Sequence, residues 1–305
     1  MTDNNGVDLN KLAKRHFNII GVSFILYQIV LLYEEYFVSS EVITYISDRF
    51  GFTYESVDLA YSGALVVIIS FLVIIIFSIE YRKRKLNYVA EEVKLKNIFY
   101  YTLIIISLNL IGSYISTIFS NYTSVNNAYL IPIGTVIERF ELTSPIYMLL
   151  ALLIFPIIEE LLFRKALLNL LKRYGFRFAV VISSMIFAFA HNNIFQMLAA
   201  FLIGGILCII TLQYNSTKPA ILIHILNNLF FYMPFIINPR NYWILVVIAG
   251  LILVLTIYGL LKDDKVKLTL PTKIRSNNYN IFFKNIAVVI MIVLFLFGNL
   301  YFLFI

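Results

Sequence analysis

Apolar residues occur along this chain in long, nearly uninterrupted runs. A run of about 20 apolar residues is long enough to cross a bilayer as a helix, and we predict one membrane span from each of nine runs. The fourth run is long enough to tilt or to begin outside the bilayer, and the fifth is short enough to cross it only in part. The pattern therefore predicts an all-α polytopic membrane protein. The nine runs are 17–37, 59–80, 98–119, 145–171, 178–191, 194–213, 218–236, 242–261 and 282–304.

The composition agrees with a membrane protein. Of the 305 residues, 61% are hydrophobic and 13% are charged, and the mean hydropathy is +0.87, whereas about a quarter of an ordinary soluble domain is charged. The single cysteine, Cys208, excludes an internal disulfide and a cysteine metal cluster. A cleavable signal peptide is not expected, because the polar start runs into a full-length apolar run without a small-residue cleavage site. The abundance of Ile, Asn, Lys, Phe and Tyr is typical of AT-rich bacterial genomes, so we expect a multi-pass protein of a bacterial cell membrane.

Positive charge is concentrated in alternate segments between the predicted spans. The net charge is +7, and most lysines and arginines fall in segments that the positive-inside rule places in the cytoplasm when the N-terminus is inside and the C-terminus is outside. Attraction to anionic lipid also favours this distribution, so no nucleic acid partner is needed to explain it. We divide the chain into residues 1–144 (three spans and an external loop, 120–143), 145–236 (four spans), and 237–305 (two spans separated by the polar loop 262–281).

The segment FPIIEELLFRKAL, residues 155–167, places four ionisable side chains within the fourth span. A charge at the centre of a bilayer costs at least about 2.5–3.5 kcal/mol, and such residues mark functional sites by default. Glu160 and Arg164 are four residues apart and share a helical face, so they can form an ion pair, and that pair could also be purely structural. Glu159 is rotated by about 100°, which leaves it without that cation and available to exchange protons. Arg164 and Lys165 could instead extend toward the cytoplasmic surface.

Two later spans each carry one histidine. FAFAHNN supplies Phe187 and, four residues later, His191, while HILNN supplies His224 and Asn228 at the same separation. The third histidine, His16, lies just before the first span. One histidine in a membrane helix often only hydrogen-bonds to a neighbour, but an acid pair followed by two histidine motifs on nearby spans indicates a shared site.

This ordered set, E-E-x-x-x-R, then F-x-x-x-H, then H-x-x-x-N, resembles the CAAX protease and bacteriocin-processing family of intramembrane proteases. The resemblance covers roughly residues 145–236 and shows no departure from the family pattern. It implies a peptidase whose site lies among membrane helices. Eukaryotic members trim prenylated CAAX proteins, and bacterial relatives are associated with peptide maturation, self-immunity and surface-protein regulation.

The resemblance also implies a role for each motif residue. Glu159 would be the general base that activates water, assisted by His191. His224 and Asn228 would polarise the scissile carbonyl and hold the oxyanion. Supporting positions would be Glu160 and Arg164, which brace the first helix, and Phe187.

The chemistry of these residue types agrees with hydrolysis. Cleaving a peptide bond requires an activated water, a proton donor for the leaving amine and donors for the oxyanion, and a carboxylate, two imidazoles and an amide supply them. The sequence contains neither G-x-S-x-G nor H-E-x-x-H, and Cys208 sits in an apolar run typical of a structural residue. Glu159, His191 and His224 would fit zinc or another divalent metal with an open fourth position, whereas a Glu–His pair could activate water directly. Both alternatives stay open, and no other cofactor is expected.

Two other functions compete with a protease. A proton-coupled transporter would spread titratable groups along a path across the bilayer, whereas here they are concentrated in one set. A non-catalytic scaffold or bacteriocin-immunity protein would keep the fold and sequester a peptide. The expected partners are a peptide or membrane-protein substrate and the lipid bilayer, and the sequence leaves the oligomeric state open.

The predicted topology can be tested with reporter fusions. Alkaline phosphatase is active only outside the cytoplasm, so we expect activity when it is fused to the C-terminus and none when it replaces the chain after residue 270. Green fluorescent protein should give the opposite result at the same two positions. Fluorescence from the C-terminal fusion would contradict the nine-span topology.

Overall fold

The fold is built from helices of unequal length. The computed structural model describes residues 8–37, 40–82, 91–123, 148–191, 194–236, 242–262 and 278–301, and every regular element within them is helical. The elements are α1 (Leu9–Phe37), α2 (Ser40–Phe50), α3 (Tyr54–Arg82), α4 (Leu95–Thr123), α5 (150–171), α6 (Phe176–Phe189), α7 (Ile194–Tyr214), α8 (Lys218–Ile236), α9 (Tyr242–Lys262), α10 (Tyr279–Phe283) and α11 (Ile286–Tyr301).

Each predicted span falls on a helix, with the last one divided between α10 and α11. The apolar pattern does not predict α2, because its sequence SEVITYISDRF mixes polar and apolar residues. The predicted loops 120–143 and 262–281 lie mostly outside the described residues. Among the described helices, four segments are long and apolar enough to cross a membrane, which supports a helical membrane protein; the count of nine spans and their orientation stay predictions. These segments are Ser56–Tyr81, Leu95–Ser116, Gln196–Tyr214 and Trp243–Leu261, and shorter apolar helices are Phe176–Phe189 and Ile286–Gly298.

The helix α5, which carries the two glutamates, is not a regular α-helix. π-helical turns occupy Leu150–Ile154 and Glu160–Leu168, and α-helical turns occupy Phe155–Glu159 and Asn169–Leu171. The expected regular 3.6-residue period therefore does not hold along this helix. π-turns inside helices are frequent at functional sites. One cause is visible in the sequence, since Pro156 has no N–H to continue the hydrogen-bond ladder.

A sharp turn at Gly175 packs α6 back against α5. The turn follows the 3₁₀ segment Lys172–Tyr174, and Gly175 has a φ of 123°, a conformation that favours glycine. The hydroxyl of Ser183 on α6 then donates to the carbonyl oxygen of Phe163 on α5 over 3.0 Å. This connection brings the Phe187 motif next to the glutamate motif.

An apolar core surrounds α5 and α6 with α1, α3 and α11. Its centre is aromatic: the ring of Phe24 on α1 lies 5.9 Å from that of Phe163 on α5 and 6.2 Å from that of Phe295 on α11. A second core joins α4, α7 and α8 around Tyr101 and Leu207. Helix α7 contributes residues to both cores and so joins them.

The third histidine belongs to a separate polar cluster. His16 on α1 is buried, its Nδ1 lies 2.6 Å from the hydroxyl oxygen of Tyr174, and its Nε2 lies 3.4 Å from Oε2 of Glu80 on α3. Glu80 also forms a 2.8 Å ion pair with Arg15. His16 thus ties α1 to α3 and to the end of α5.

The contact between α1 and α11 depends on a glycine. A Cβ added to Gly21 would lie 2.5 Å from the carbonyl carbon of Ala287, so Gly21→Ala should force the helices apart and cost about 1–3 kcal/mol. A Cβ on Gly250, in α9, would meet nothing within 4 Å, so Gly250→Ala serves as the control. Thermal unfolding in detergent should show a lower midpoint for Gly21→Ala alone, and equal midpoints would contradict the packing of α1 on α11.

Candidate active site

The acid motif of α5 forms a buried ion pair. Nη1 of Arg164 lies 3.2 Å from Oε1 of Glu160, and both side chains are 0% exposed. Arg164 therefore does not extend to the surface, whereas Lys165, one residue later, is exposed. Because burial removes both charges from solvent, the pair is stable only while both partners are present.

Phe187 supports this ion pair from α6. The guanidinium carbon of Arg164 lies 4.1 Å from the centroid of the buried Phe187 ring, which is cation–π geometry. The same ring packs edge-on against His191, with centroids 4.7 Å apart, and against His224, at 6.2 Å. The phenylalanine of F-x-x-x-H thus contacts three other motif side chains, a role that its sequence position alone did not reveal.

His224 on α8 lies between the two glutamates of α5. Its Nδ1 is 2.9 Å from Oε1 of Glu160, and its Nε2 is 3.8 Å from Oε2 of Glu159. Arg164, Glu160, His224 and Glu159 therefore form a row, defined here as the charge row. Glu159 is at its open end with a side chain 34% exposed, in contrast to the fully buried Glu160.

His191 is oriented by the backbone of its own helix. Its Nδ1 lies 2.8 Å from the carbonyl oxygen of Phe187. Since a carbonyl oxygen can only accept, Nδ1 carries the proton and donates it. In the neutral ring, Nε2 then holds the lone pair and can accept a proton or a hydrogen bond from water.

Asn228 is held by an irregularity of α5. In the first π-turn the N–H of Phe155 donates to the carbonyl oxygen of Leu150. In the same pattern, an N–H at position 156 would donate to the carbonyl oxygen of Ala151. That position is proline and has no N–H. Instead Nδ2 of Asn228 donates to the Ala151 oxygen over 3.2 Å, which satisfies a carbonyl that would be costly to leave unpaired.

These side chains meet at one cavity of about 240 Å³. Since water occupies about 30 Å³ per molecule in the liquid, this volume could hold several waters or part of a peptide. Five of the seven motif residues line it: Glu159, Phe187, His191, His224 and Asn228. The structure therefore brings together the four residues predicted to be catalytic, with Phe187 also in the lining and Glu160 and Arg164 directly behind.

Helix α4 completes the cavity wall, although it lies outside the segment 145–236 that carries the motifs. Sequence reasoning missed this contribution. The available signal was polar and small residues at three- and four-residue spacing within an apolar helix, which places them on one face. The residues are Asn109, Gly112, Ser113 and Ser116.

The donor set does not form a recognisable metal site. Within the part of the chain that the structure describes, no group of three or more His, Cys, Asp or Glu side chains is arranged to hold a metal ion. Both nitrogens of His224 face carboxylates, and Nδ1 of His191 is bonded to a backbone oxygen.

Comparison with known proteins gives a family for the segment that carries the motifs. Residues 141–230 match the family model described as type II CAAX prenyl endopeptidase Rce1-like. The resemblance to the CAAX protease family is confirmed over this segment. The match covers less than half of the chain, includes all seven motif residues, and implies a protease. Searches of curated proteins and of solved structures gave no match.

The charge row predicts different consequences for the two neighbouring glutamates. Glu160→Ala leaves Arg164 buried without its counter-charge, so it should destabilise the protein by about 3–5 kcal/mol. Glu159→Ala, the matched control, removes a partly exposed carboxylate and should change stability far less. Unfolding of the purified protein in detergent measures both. Equal losses would show that Glu160 is not the structural partner of Arg164.

Proposed function

We propose that the protein is an intramembrane endopeptidase in which Glu159, assisted by His191, activates a water molecule. The observation that carries the proposal is the convergence of a partly exposed carboxylate, two imidazoles and an amide on one cavity within the segment that matches a protease family. Peptide hydrolysis requires this combination of base, proton donor and oxyanion donors.

Glu159 and His191 handle the proton of the attacking water. The carboxylate removes a proton from water while the lone pair of His191 Nε2 holds the water by a hydrogen bond. The oxygen then bonds to the scissile carbonyl carbon, giving a tetrahedral oxyanion. Glu159 returns the proton to the leaving nitrogen as the C–N bond breaks, which yields a carboxylic acid and an amine. The acid then loses its remaining proton to the amine or to water.

His224 and Asn228 stabilise the oxyanion. His224 lines the cavity, with its Nε2 3.8 Å from Oε2 of Glu159, and its proposed role is to polarise the scissile carbonyl. One N–H of Asn228 is already donated to Ala151, and the other is available to the oxyanion. Fixed donors of this kind stabilise the charge that develops on the oxyanion.

The proposed substrate is a peptide or a segment of a membrane-associated protein. The cavity lies among apolar helices, so the substrate must reach it from the bilayer or its surface. The matched family is described as a prenyl endopeptidase; for this chain the bacterial character of the composition favours a substrate without a prenyl group.

Glu159→Gln tests the proposal. The amide has nearly the same shape but cannot take a proton, so hydrolysis should fall by a factor on the order of 10² to 10⁴ while the protein still folds. The measurement compares membrane peptides from cells that carry the wild type or the variant. It is followed by cleavage of an accumulated peptide by purified protein in liposomes.

Two control variants should leave the activity intact. Glu92→Gln removes an exposed carboxylate outside the site, and Cys208→Ala removes the buried thiol. Wild-type cleavage by Glu159→Gln would refute the proposal. A scaffold or immunity protein would keep its function in that variant, because sequestering a peptide needs no proton transfer.

A further inference from the structure

Three asparagine side chains connect α4 to the site. Nδ2 of Asn109 on α4 donates to Oδ1 of Asn227 over 3.3 Å, and Nδ2 of Asn227 donates to Oδ1 of Asn228 over 3.2 Å. Nδ2 of Asn228 then donates to the carbonyl oxygen of Ala151 over 3.2 Å. We call this series the asparagine relay. It links α4 and α8 through three side-chain amides and ends on a backbone carbonyl oxygen of α5.

The carbonyl oxygen of Ala151, where the relay ends, determines which way each asparagine amide is oriented. The oxygen of Ala151 can only accept a hydrogen bond, and proline at position 156 leaves it without a backbone donor. The nitrogen end of the Asn228 amide must therefore face Ala151, and its oxygen end must face Asn227. Because Oδ1 of Asn228 can only accept, the nitrogen of the Asn227 amide must face it. The oxygen of Asn227 then faces α4 and accepts from Asn109.

Asn227 lies between Asn109 and Asn228 in the wall of the cavity. It is 5% exposed, and both neighbouring asparagines line the same cavity. One turn from Asn109, Gly112 packs against α7 so closely that an added Cβ would lie 2.5 Å from Cβ of Ala199. The absence of a side chain at Gly112 thus permits the approach of α4 that brings Asn109 within reach of α8.

We propose that Asn109 is a positioning residue for the reaction, and that it acts on Asn228 through Asn227. This inference rests on the proposed function, in which Asn228 offers its second N–H to the oxyanion. Loss of the Asn109 donor frees Asn227 to rotate, and Asn228 then keeps only its bond to Ala151, so the plane of its amide and the direction of its second N–H are held less firmly. Serial hydrogen bonds also polarise one another, so the relay strengthens the donor that Asn228 offers.

A double-mutant cycle on the full-length protein tests the relay. Asn109→Leu replaces the amide with an apolar group of similar size and should lower kcat on the order of tenfold with little change in KM, because the lost interaction acts on the transition state. In an Asn228→Ala background the same change should cause no further loss, since the group that it positions is absent. Equal fold losses in the two backgrounds would overturn the proposal.

Ser107→Ala provides the matched control on α4. The hydroxyl of Ser107 is buried and lies 2.8 Å from that of Thr256 on α9, so the variant perturbs the packing of the same helix away from the cavity. Its kcat should stay near the wild-type value. A kcat loss equal to that of Asn109→Leu would mean that Asn109 acts only by holding α4 in place, and would overturn the proposal.

A second cycle measures unfolding and does not depend on catalysis. Leucine substitutions of Asn109 and Asn228, singly and together, should destabilise the protein by less in combination than the sum of the single effects, because both break one relay. Should Asn109→Leu fail to accumulate, Asn109→Ala removes the amide without adding bulk. Additive effects would overturn the relay whatever the activity. Coupled unfolding without Glu159-dependent cleavage would instead overturn the proposed function and leave the relay standing.

Discussion

Burial of the charge row is the constraint on which the site depends. Arg164 and Glu160 are completely enclosed, and a buried charge without its partner is strongly destabilising. Oε1 of Glu160 lies within bonding distance of both Arg164 and His224, so one oxygen atom joins α5 to α8. Phe187 adds α6 through its contact with the guanidinium group. The buried ion pair, its contact with His224 and the apolar packing thus hold the three motif helices together.

This constraint separates the functions of two adjacent glutamates. Glu160 is the ion-pair partner of Arg164, its Oε1 lies 2.9 Å from Nδ1 of His224, and it has no exposed surface. Glu159 lies 3.8 Å from Nε2 of His224 and keeps about a third of its side chain accessible. Glu160 is therefore structural, whereas Glu159 is left for the proposed proton transfer. Identical side chains acquire different roles from their neighbours.

The irregular backbone of α5 also helps to position the residues of the site. Pro156 interrupts the hydrogen-bond ladder of α5, and an unpaired carbonyl in an apolar environment costs several kcal/mol. Asn228 compensates for that cost and is fixed in the process. The same amide is proposed to serve the oxyanion, so a defect in one helix orients a functional group on another. The relay extends this dependence to α4, which lies outside the segment matched by the family.

The sequence by itself determined the helical segments and the motif residues. Apolar runs specify membrane helices because a bilayer leaves the backbone few other ways to satisfy its hydrogen bonds, and charges within such runs are costly enough to mark a site. The tertiary structure decided which partner each polar group has. The double contact of Glu160, the central position of Phe187 and the role of Asn109 depend on distances between helices far apart in sequence, and the π-turns of α5 altered the spacing within one helix. Local periodicity carries no information about such contacts, because packing between helices sets them.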